Sequence, residues 1–142
     1  MHNNSIPYPL ITTDKLRYAD TDRQGHINNA LFSTFLETGR VEILYNPRII
    51  ELSNDAEFVI AHLSIQFMNE ILWPGSIETG TSIKKIGTSS IIFEQGIYQR
   101  QKQCASAETV IVQISKTTRQ PLPLDNKKID ELKKYLKQKQ PE

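Results

Sequence analysis

Five polar residues that can take part in acyl chemistry lie close together in this sequence: Asp20, Asp22, His26, Asn28 and Asn29. The start of a helix has unpaired N–H groups and a partial positive charge, and such donors can hold an oxyanion. A carboxylate beside these donors can activate water or attack a carbonyl carbon directly. The stretch therefore has a suitable layout for acyl transfer, provided that a helix begins at the two asparagines.

The same residue types are also ordinary turn and capping residues. Aspartate, asparagine and glycine are favoured in turns, and a short amide side chain often caps a helix. Taken one at a time, these residues do not identify a site. The functional interpretation depends on their arrangement between a strand and a helix.

The hydrophobic pattern predicts a strand before this stretch and a helix after it. Apolar and polar residues alternate over Lys15–Asp20, which predicts a half-buried strand, and the turn follows at Gly25. Apolar residues then recur at helical spacing, which predicts a helix over Asn28–Leu44 with Asn28 or Asn29 as its cap. The apolar face of this helix consists of Phe32, Phe35, Leu36, Gly39 and Ile43.

Four further strands and a short helix are predicted in the rest of the chain. The strands are Phe58–Met68, Ser76–Ile86, Ser90–Gln99 and Cys104–Thr117. Residues 1–10 are an extended lead-in, and residues 48–56 are a loop or a short helical turn. Asp125 is expected to cap the last helix. A strand, a helix and four strands in consecutive hairpins predict an α+β fold, formed as a single domain over residues 1–142.

Several residues around the turn stand at spacings that match a known family: Arg17, Asp20, Thr21, Asp22, Gly25, His26, Ile27, Asn28, Asn29, Phe32, Glu37 and Arg40. They resemble the signature of hotdog-fold acyl-CoA thioesterases of the 4-hydroxybenzoyl-CoA thioesterase type. Beyond Leu44 the likeness is one of strand order and length. The resemblance implies an antiparallel sheet of about five strands wrapped around one long central helix. It also implies hydrolysis of an acyl-CoA thioester to a free acid and CoA.

The resemblance also implies roles for individual residues. Asp22, three residues before Gly25, matches the family's catalytic carboxylate, which acts as nucleophile or as general base for water. The backbone N–H of Asn29 matches the group that polarises the thioester carbonyl. His26 and Asn28 are secondary candidates for orienting water or shaping the turn. The family uses no metal, and no cofactor is expected.

CoA would be held by basic and small residues of a strand pair and its turn, again by resemblance. In this sequence these residues are Lys84, Lys85, Gly87, Thr88, Ser89 and Ser90. Exposed sheet edges invite pairing with another chain, and the family forms dimers that often pair again into tetramers. The expected partners are therefore an acyl-CoA substrate and further copies of this chain.

Two other functions and two other residues remain open at this stage. The carrier of the acyl group can be acyl-carrier protein instead of CoA, or the domain can bind acyl-CoA without catalysis. The second alternative ranks lower because Asp22 is retained and no DNA-binding segment is recognisable.

His62 is expected to be a hydrogen-bonded strand histidine, and Cys104 a small core residue.

Composition excludes several other classes of protein. The net charge of +1 over 142 residues gives no reason to expect nucleic acid as a partner. The sequence contains no apolar run long enough to span a membrane and no signal-peptide pattern at its start. A single cysteine excludes an internal disulfide and a cysteine-based metal cluster. These features predict a soluble, cytoplasmic protein.

Overall fold

The computed structural model describes residues 6–47 and 55–137 of the chain. Within them lie β1 (Leu10–Lys15), α1 (Leu31–Leu44), β2 (Ala56–Phe67), β3 (Ser76–Ile86), β4 (Ser90–Gln99), β5 (Lys102–Ser115) and α2 (Asn126–Lys133). Residues 1–5 of the predicted lead-in and most of the predicted loop at 48–56 lie outside the described residues. None of the described helices is long and apolar enough to cross a membrane.

The five strands form one antiparallel sheet in the order β1-β3-β4-β5-β2. The predicted α+β class, with a helix packed against an antiparallel sheet, is confirmed. Consecutive hairpins are present at β3–β4 and β4–β5, but the hairpin predicted between β2 and β3 is wrong. β2 instead lies at the far edge and pairs with β5, with Ala56 opposite Ser115 and Phe67 opposite Ala105. Alternation identifies a strand but does not identify its neighbour.

The first strand lies earlier than predicted. β1 ends at Lys15, and Tyr18–Asp20 form a single turn of 3-10 helix. The Asp20 N–H donates to the Arg17 carbonyl at 2.9 Å, and the Arg17 N–H donates to an Asp20 carboxylate oxygen at 2.8 Å. These two bonds fold the chain back on itself and end the extended conformation. The alternation over residues 15–20 is therefore not that of a strand.

Gly39 allows α1 to lie directly on the sheet. The residue is buried, and a Cβ atom placed there would collide with the Thr81 hydroxyl and lie 2.9 Å from Gln95 Nε2. A glycine in a helix costs about 1 kcal/mol relative to alanine. Close approach of the helix to β3 and β4 offsets this cost.

Apolar side chains pack under the two halves of α1 in two clusters. The first contains Leu16, Ile27, Phe32, Phe35, Leu36, Ile71, Ile77, Ile97, Cys104 and Ala105. The second contains Ile43, Leu44, Ile83, Ile91, Phe93, Ile111, Leu124 and Leu132. Arg40 lies buried between them and donates to Gln95 Oε1 at 3.2 Å and to Thr109 Oγ1 at 3.4 Å. Its guanidinium thus joins the middle of the helix to β4 and β5.

A bulge in β2 gathers the apolar residues of this strand on one face. Ile60 is opposite Ile111 and His62 is opposite Val110, so Ala61 is the extra residue. Strict alternation would divide these apolar residues between two faces. The register instead places Phe58, Ile60, Leu63, Ile65 and Phe67 on the face that carries α1. Because β2 is an edge strand, Ile60 and Phe67 remain 51% and 53% exposed.

Candidate active site

A short loop between the 3-10 turn and α1 holds the predicted catalytic residues. A bridge between Thr21 and Ile27 joins its two ends, and the Asp22 N–H donates to the His26 carbonyl at 2.7 Å. Gly25 closes the turn with φ +85°, which residues with a side chain rarely adopt. The backbone therefore fixes Asp22 and His26 next to each other.

The carboxylate of Asp20 is fully engaged within the fold. Oδ1 accepts from Arg17 Nη2 at 2.8 Å and from Arg17 Nε at 3.2 Å, while Oδ2 accepts from the Arg17 N–H. Burial alone would raise the pKa of Asp20, but the hydrogen bonds and charge of Arg17 outweigh it and lower the pKa below its ordinary value. The Asp20 carbonyl also accepts the Asn28 N–H at 2.9 Å. Asp20 is thus a structural residue that anchors the loop.

Asp22 differs from Asp20 because only one of its carboxylate oxygens supports the loop. Oδ1 accepts the N–H groups of Gln24 at 2.8 Å and His26 at 3.1 Å, as in an ordinary Asx turn. No hydrogen bond from the described residues reaches Oδ2. The side chain lines a cavity in front of α1, so this oxygen remains available to a ligand.

The backbone ahead of α1 contains one N–H group that has no acceptor within residues 6–47 and 55–137. α1 begins at Leu31, with Ala30 as its cap. The predicted start at Asn28 is therefore wrong, because it lies before the helix begins. The Ala30 N–H donates to Asn28 Oδ1 at 3.0 Å, and the Leu31 N–H donates to the Asn28 carbonyl at 2.9 Å. Asn28 therefore shapes the turn. Over residues 28–32, the Asn29 N–H alone has no acceptor among the described residues.

The cavity combines polar groups with an apolar floor. Its volume is about 290 Å³, and it is lined by Asp22, Gln24, His26, Ile27, Asn29, Phe32, Phe67, Met68, Asn69 and Glu70. The rings of Phe32 and Phe67 meet edge to face, with their centroids 5.1 Å apart. Three predicted residues, Asp22, His26 and Asn29, are therefore brought together, whereas Asn28 lies outside the lining.

Glu70 is a member of this cavity that the sequence did not indicate. Its Oε2 lies 2.6 Å from His26 Nε2. The pairing arises because the segment after β2 packs on the loop that holds His26, with the Ile27 N–H donating to the Ile71 carbonyl at 2.8 Å. No local pattern marks an exposed glutamate in a connecting segment. Only the three-dimensional contact with His26 identifies it.

The residues predicted to bind CoA lie at the other end of the sheet. Gly87, Thr88 and Ser89 form the turn between β3 and β4, and Ser90 is the first residue of β4. β3 has 11 residues and rises about 3.3 Å per residue, so this turn is roughly 30 Å from the strand's first residue. One chain therefore does not bring this turn to Asp22.

Of the two predicted lysines, one is already engaged. Lys84 Nζ lies 3.0 Å from Glu108 Oε2, and its hydrogen bond to Glu108 raises the pKa of the lysine. Lys85 is exposed on the neighbouring position of β3. Lys85 is thus the better placed of the two to meet an anionic ligand.

The remaining candidate residues, Cys104 and His62, do not line the cavity. Cys104 is buried, and burial raises the pKa of its thiol, so the expectation of a core residue is confirmed. His62 is exposed on β2 and does not line the cavity. Among the described residues, no group of three or more His, Cys, Asp and Glu side chains is placed to hold a metal ion.

The sequence from residue 16 to residue 136 matches the model of the thioesterase-like superfamily. The chain belongs to this superfamily. The match covers the loop that holds Asp22 and His26, all of α1 and the strands from β2 to β5, so family membership identifies the chain as a thioester hydrolase. No curated protein matches it by sequence.

Solved structures of thioesterases share the fold. A protein of Bacillus stearothermophilus described as a predicted thioesterase is 26% identical, with a TM-score of 0.81 over 92% of this chain and 98% of that chain. A thioesterase from Thermus thermophilus, solved with coenzyme A and zinc, is 24% identical, with a TM-score of 0.78 over 89% and 93%. A 1,4-dihydroxy-2-naphthoyl-CoA thioesterase from Synechocystis is 19% identical, with a TM-score of 0.76 over 86% and 93%. The hotdog fold is thus established.

Proposed function

We propose that this thioesterase hydrolyses acyl-CoA to a free carboxylic acid and CoA in the cavity in front of α1. The proposal rests on two groups that remain available to a substrate. Asp22 Oδ2 accepts no hydrogen bond from the described residues, and the Asn29 N–H donates none. Both residues line the same cavity. A carboxylate and a backbone donor are the two groups that thioester hydrolysis needs.

In the general-base route, Asp22 takes a proton from water as the water oxygen adds to the thioester carbonyl. The carbonyl oxygen then carries a negative charge, which the Asn29 N–H stabilises. When the C–S bond breaks, the thiolate of CoA receives the proton from Asp22. The products are the free acid and CoA, and the carboxylate is regenerated.

In the nucleophilic route, Asp22 attacks the carbonyl carbon itself and expels CoA. The resulting mixed anhydride is then hydrolysed by water. The two routes differ in the fate of labelled water. In a single turnover in H₂¹⁸O, attack of water on the Asp22 carbonyl of the anhydride leaves ¹⁸O in the protein, whereas the general-base route leaves it in the product acid alone.

The apolar floor of the cavity suits the acyl group. Phe32, Phe67 and Met68 present rings and a flexible thioether beside the polar edge formed by Asp22 and Asn29. An uncharged acyl group placed against them leaves its carbonyl at the start of α1. We propose this orientation for the substrate.

A second copy of the chain completes this arrangement. β2 is a long edge strand, and Ile60, Leu63 and Phe67 on its helix-bearing face are 51%, 36% and 53% exposed. Such an edge can pair with the same edge of another copy. Antiparallel pairing brings the β3–β4 turn of one copy to the same end of the joint sheet as Asp22 of the other. The predicted CoA residues can then reach the site from the second copy.

Thiol release from a series of acyl-CoA esters tests this function. We expect hydrolysis that depends on acyl length or shape, a protein that scatters light as a dimer or tetramer, and a fall in kcat of about 10²–10⁴ with Asp22→Asn. The same acyl groups offered on acyl-carrier protein decide between the two carriers. A compact monomer that turns over acyl-CoA would contradict the shared site, and absence of turnover on every ester would contradict the function.

A further inference from the structure

Two carboxylate residues from different segments contact His26, Glu70 at its imidazole and Asp22 at its backbone. His26 Nε2 lies 2.6 Å from Glu70 Oε2, in the segment that follows β2. The backbone N–H of His26 donates to Asp22 Oδ1 at 3.1 Å. All three side chains line the cavity in front of α1.

The backbone positions both members of this pair. His26 and Leu72 form a β-bridge, and the Ile27 N–H donates to the Ile71 carbonyl at 2.8 Å. The Glu70 carbonyl accepts a hydrogen bond from Cys104 Sγ at 3.8 Å. Glu70 is therefore anchored through its backbone while its side chain stays 57% exposed, and that of His26 stays 38% exposed, at the cavity.

A carboxylate on Nε2 determines which nitrogen of a neutral imidazole carries the proton. In a neutral His26 ring, the carboxylate of Glu70 favours the proton on Nε2, so Nδ1 keeps a lone pair that can accept a hydrogen bond. Orientation of a histidine by a carboxylate is a recurrent way to fix its tautomer and its direction. Asp22 Oδ2 and His26 Nδ1 are then two acceptors for one water molecule, on residues that line the same cavity.

We propose that Glu70 is a positioning residue that acts through His26, and that His26 holds the attacking water for Asp22. This inference rests on the proposed function, because it assigns a role within the same reaction. In the general-base route, Asp22 takes one proton of the water and His26 Nδ1 accepts a hydrogen bond from the other. Glu70 keeps the imidazole in the tautomer that allows this contact and exchanges no proton.

The ion pair between His26 and Glu70 contributes little to the free energy of unfolding. Exposed ion pairs contribute only about 0–1 kcal/mol to stability, and both side chains are partly exposed. Substitution of Glu70 should therefore leave the fold intact. A loss of activity in such a variant can then be assigned to the positioning of His26.

Kinetics of four variants test the proposal: Glu70→Gln, Glu70→Ala, His26→Ala and the double variant. Loss of orientation should lower kcat by about 10- to 100-fold in Glu70→Ala, with KM within about twofold of the parent. Glu70→Gln, which retains an acceptor oxygen, should recover part of the loss. Because Glu70 acts through His26, the double variant should be no slower than His26→Ala alone. Additive losses would overturn the proposal.

Glu131 of α2 provides a control for removal of a partly exposed, paired carboxylate. It forms an ion pair at 3.0 Å with Lys134, the residue after α2, and it does not line the cavity. Glu131→Gln should leave kcat and KM unchanged. If Asp22→Asn is inactive while Glu70→Ala has the activity of the parent, this inference fails and the proposed function stands. If the parent protein hydrolyses no acyl-CoA, both fail.

Imidazole ¹⁵N shifts give a measurement that does not depend on turnover. The chain has three histidines, and His26→Ala assigns the signals of interest. At a pH where the ring is neutral, we expect His26 to carry its proton on Nε2 in the parent protein and to become a mixture of tautomers in Glu70→Ala. The same tautomer in both proteins would overturn the proposal.

Discussion

The two ends of α1 have opposite environments. At its start, the helix faces a cavity of about 290 Å³ in which Asp22 Oδ2 and the Asn29 N–H have no partner among the described residues. At its end, Ile43 and Leu44 are packed in a closed apolar cluster that also contains Leu132 of α2.

The polar groups at the two ends differ in the same way. The buried Lys128 of α2 donates to Gln113 Oε1, and the Gln113 amide donates to the carbonyls of Leu122 and Pro123. Every one of these atoms is used by the fold. At the open end, by contrast, a carboxylate oxygen of Asp22 and the Asn29 N–H form no hydrogen bond within the part of the chain that the structure describes. Substitutions at the open end should therefore change activity, and those at the closed end should change stability.

The largest expected effect is that of Asp22→Asn at the open end. The variant keeps the shape of the side chain but removes the basic carboxylate, so kcat should fall by about 10²–10⁴, or about 3–5 kcal/mol in the barrier. The free energy of unfolding should change little, because an amide oxygen can still accept the N–H groups of Gln24 and His26. Steady-state thiol release and urea unfolding measure both quantities. Nearly full turnover would contradict the role of Asp22.

Leu132→Ala should show the reverse behaviour at the closed end. Leu132 is fully buried, and removal of a buried leucine side chain costs about 2–5 kcal/mol. We expect a lower midpoint of urea unfolding and the same kcat per folded molecule. Loss of kcat in fully folded Leu132→Ala would show that the two ends are coupled.

Charge reversal at the β3–β4 turn should have a smaller effect, confined to binding. In Lys84→Glu/Lys85→Glu, KM for acyl-CoA should rise several-fold while kcat stays nearly constant, because a phosphate contact is equally strong in the ground and transition states. Raised salt should reduce the difference by screening. Lys85→Glu alone should account for most of the effect, since Lys84 is paired with Glu108. An unchanged KM would place the CoA site elsewhere.

The smallest effect is expected for Asp20→Asn, and it should depend on pH. Because its folded-state pKa is lowered, ionised Asp20 stabilises the fold above its unfolded pKa, and this contribution disappears as pH falls through the folded pKa. Asp20→Asn should therefore be less stable than the parent at neutral pH and equally stable in acid. Urea unfolding across that range measures the difference. A fall in kcat as large as that of Asp22→Asn would contradict the purely structural role of Asp20.

The sequence was sufficient to predict the elements with strong local patterns. β3 and β4 have the predicted bounds, and Asp125 caps α2 by accepting the Lys128 N–H at 2.7 Å. The alternation before the catalytic loop was misleading because the Asp20 carboxylate closes a 3-10 turn over the same residues. A side-chain hydrogen bond to the backbone is not visible in a pattern of apolar residues.

Long-range contacts account for the other differences. Three features join segments that are distant in sequence: the pairing of β2 with β5, the contact of Arg40 with Gln95 and the contact of Glu70 with His26. Sequence reasoning predicted that Arg17 and Asp22 belong to one motif, but it did not show that Arg17 engages Asp20 and thereby leaves Asp22 for the cavity.

The most direct test of the account is the position of a bound thioester analogue. A CoA ketone, in which a methylene group replaces the sulfur, keeps the carbonyl and cannot be hydrolysed. In a crystal structure of this complex, we expect the ketone oxygen within about 3 Å of the Asn29 nitrogen. The carbonyl carbon should face Asp22, and the acyl group should lie against Phe32 and Phe67. A ketone bound away from the start of α1, with Asp22 out of reach, would contradict the central claim.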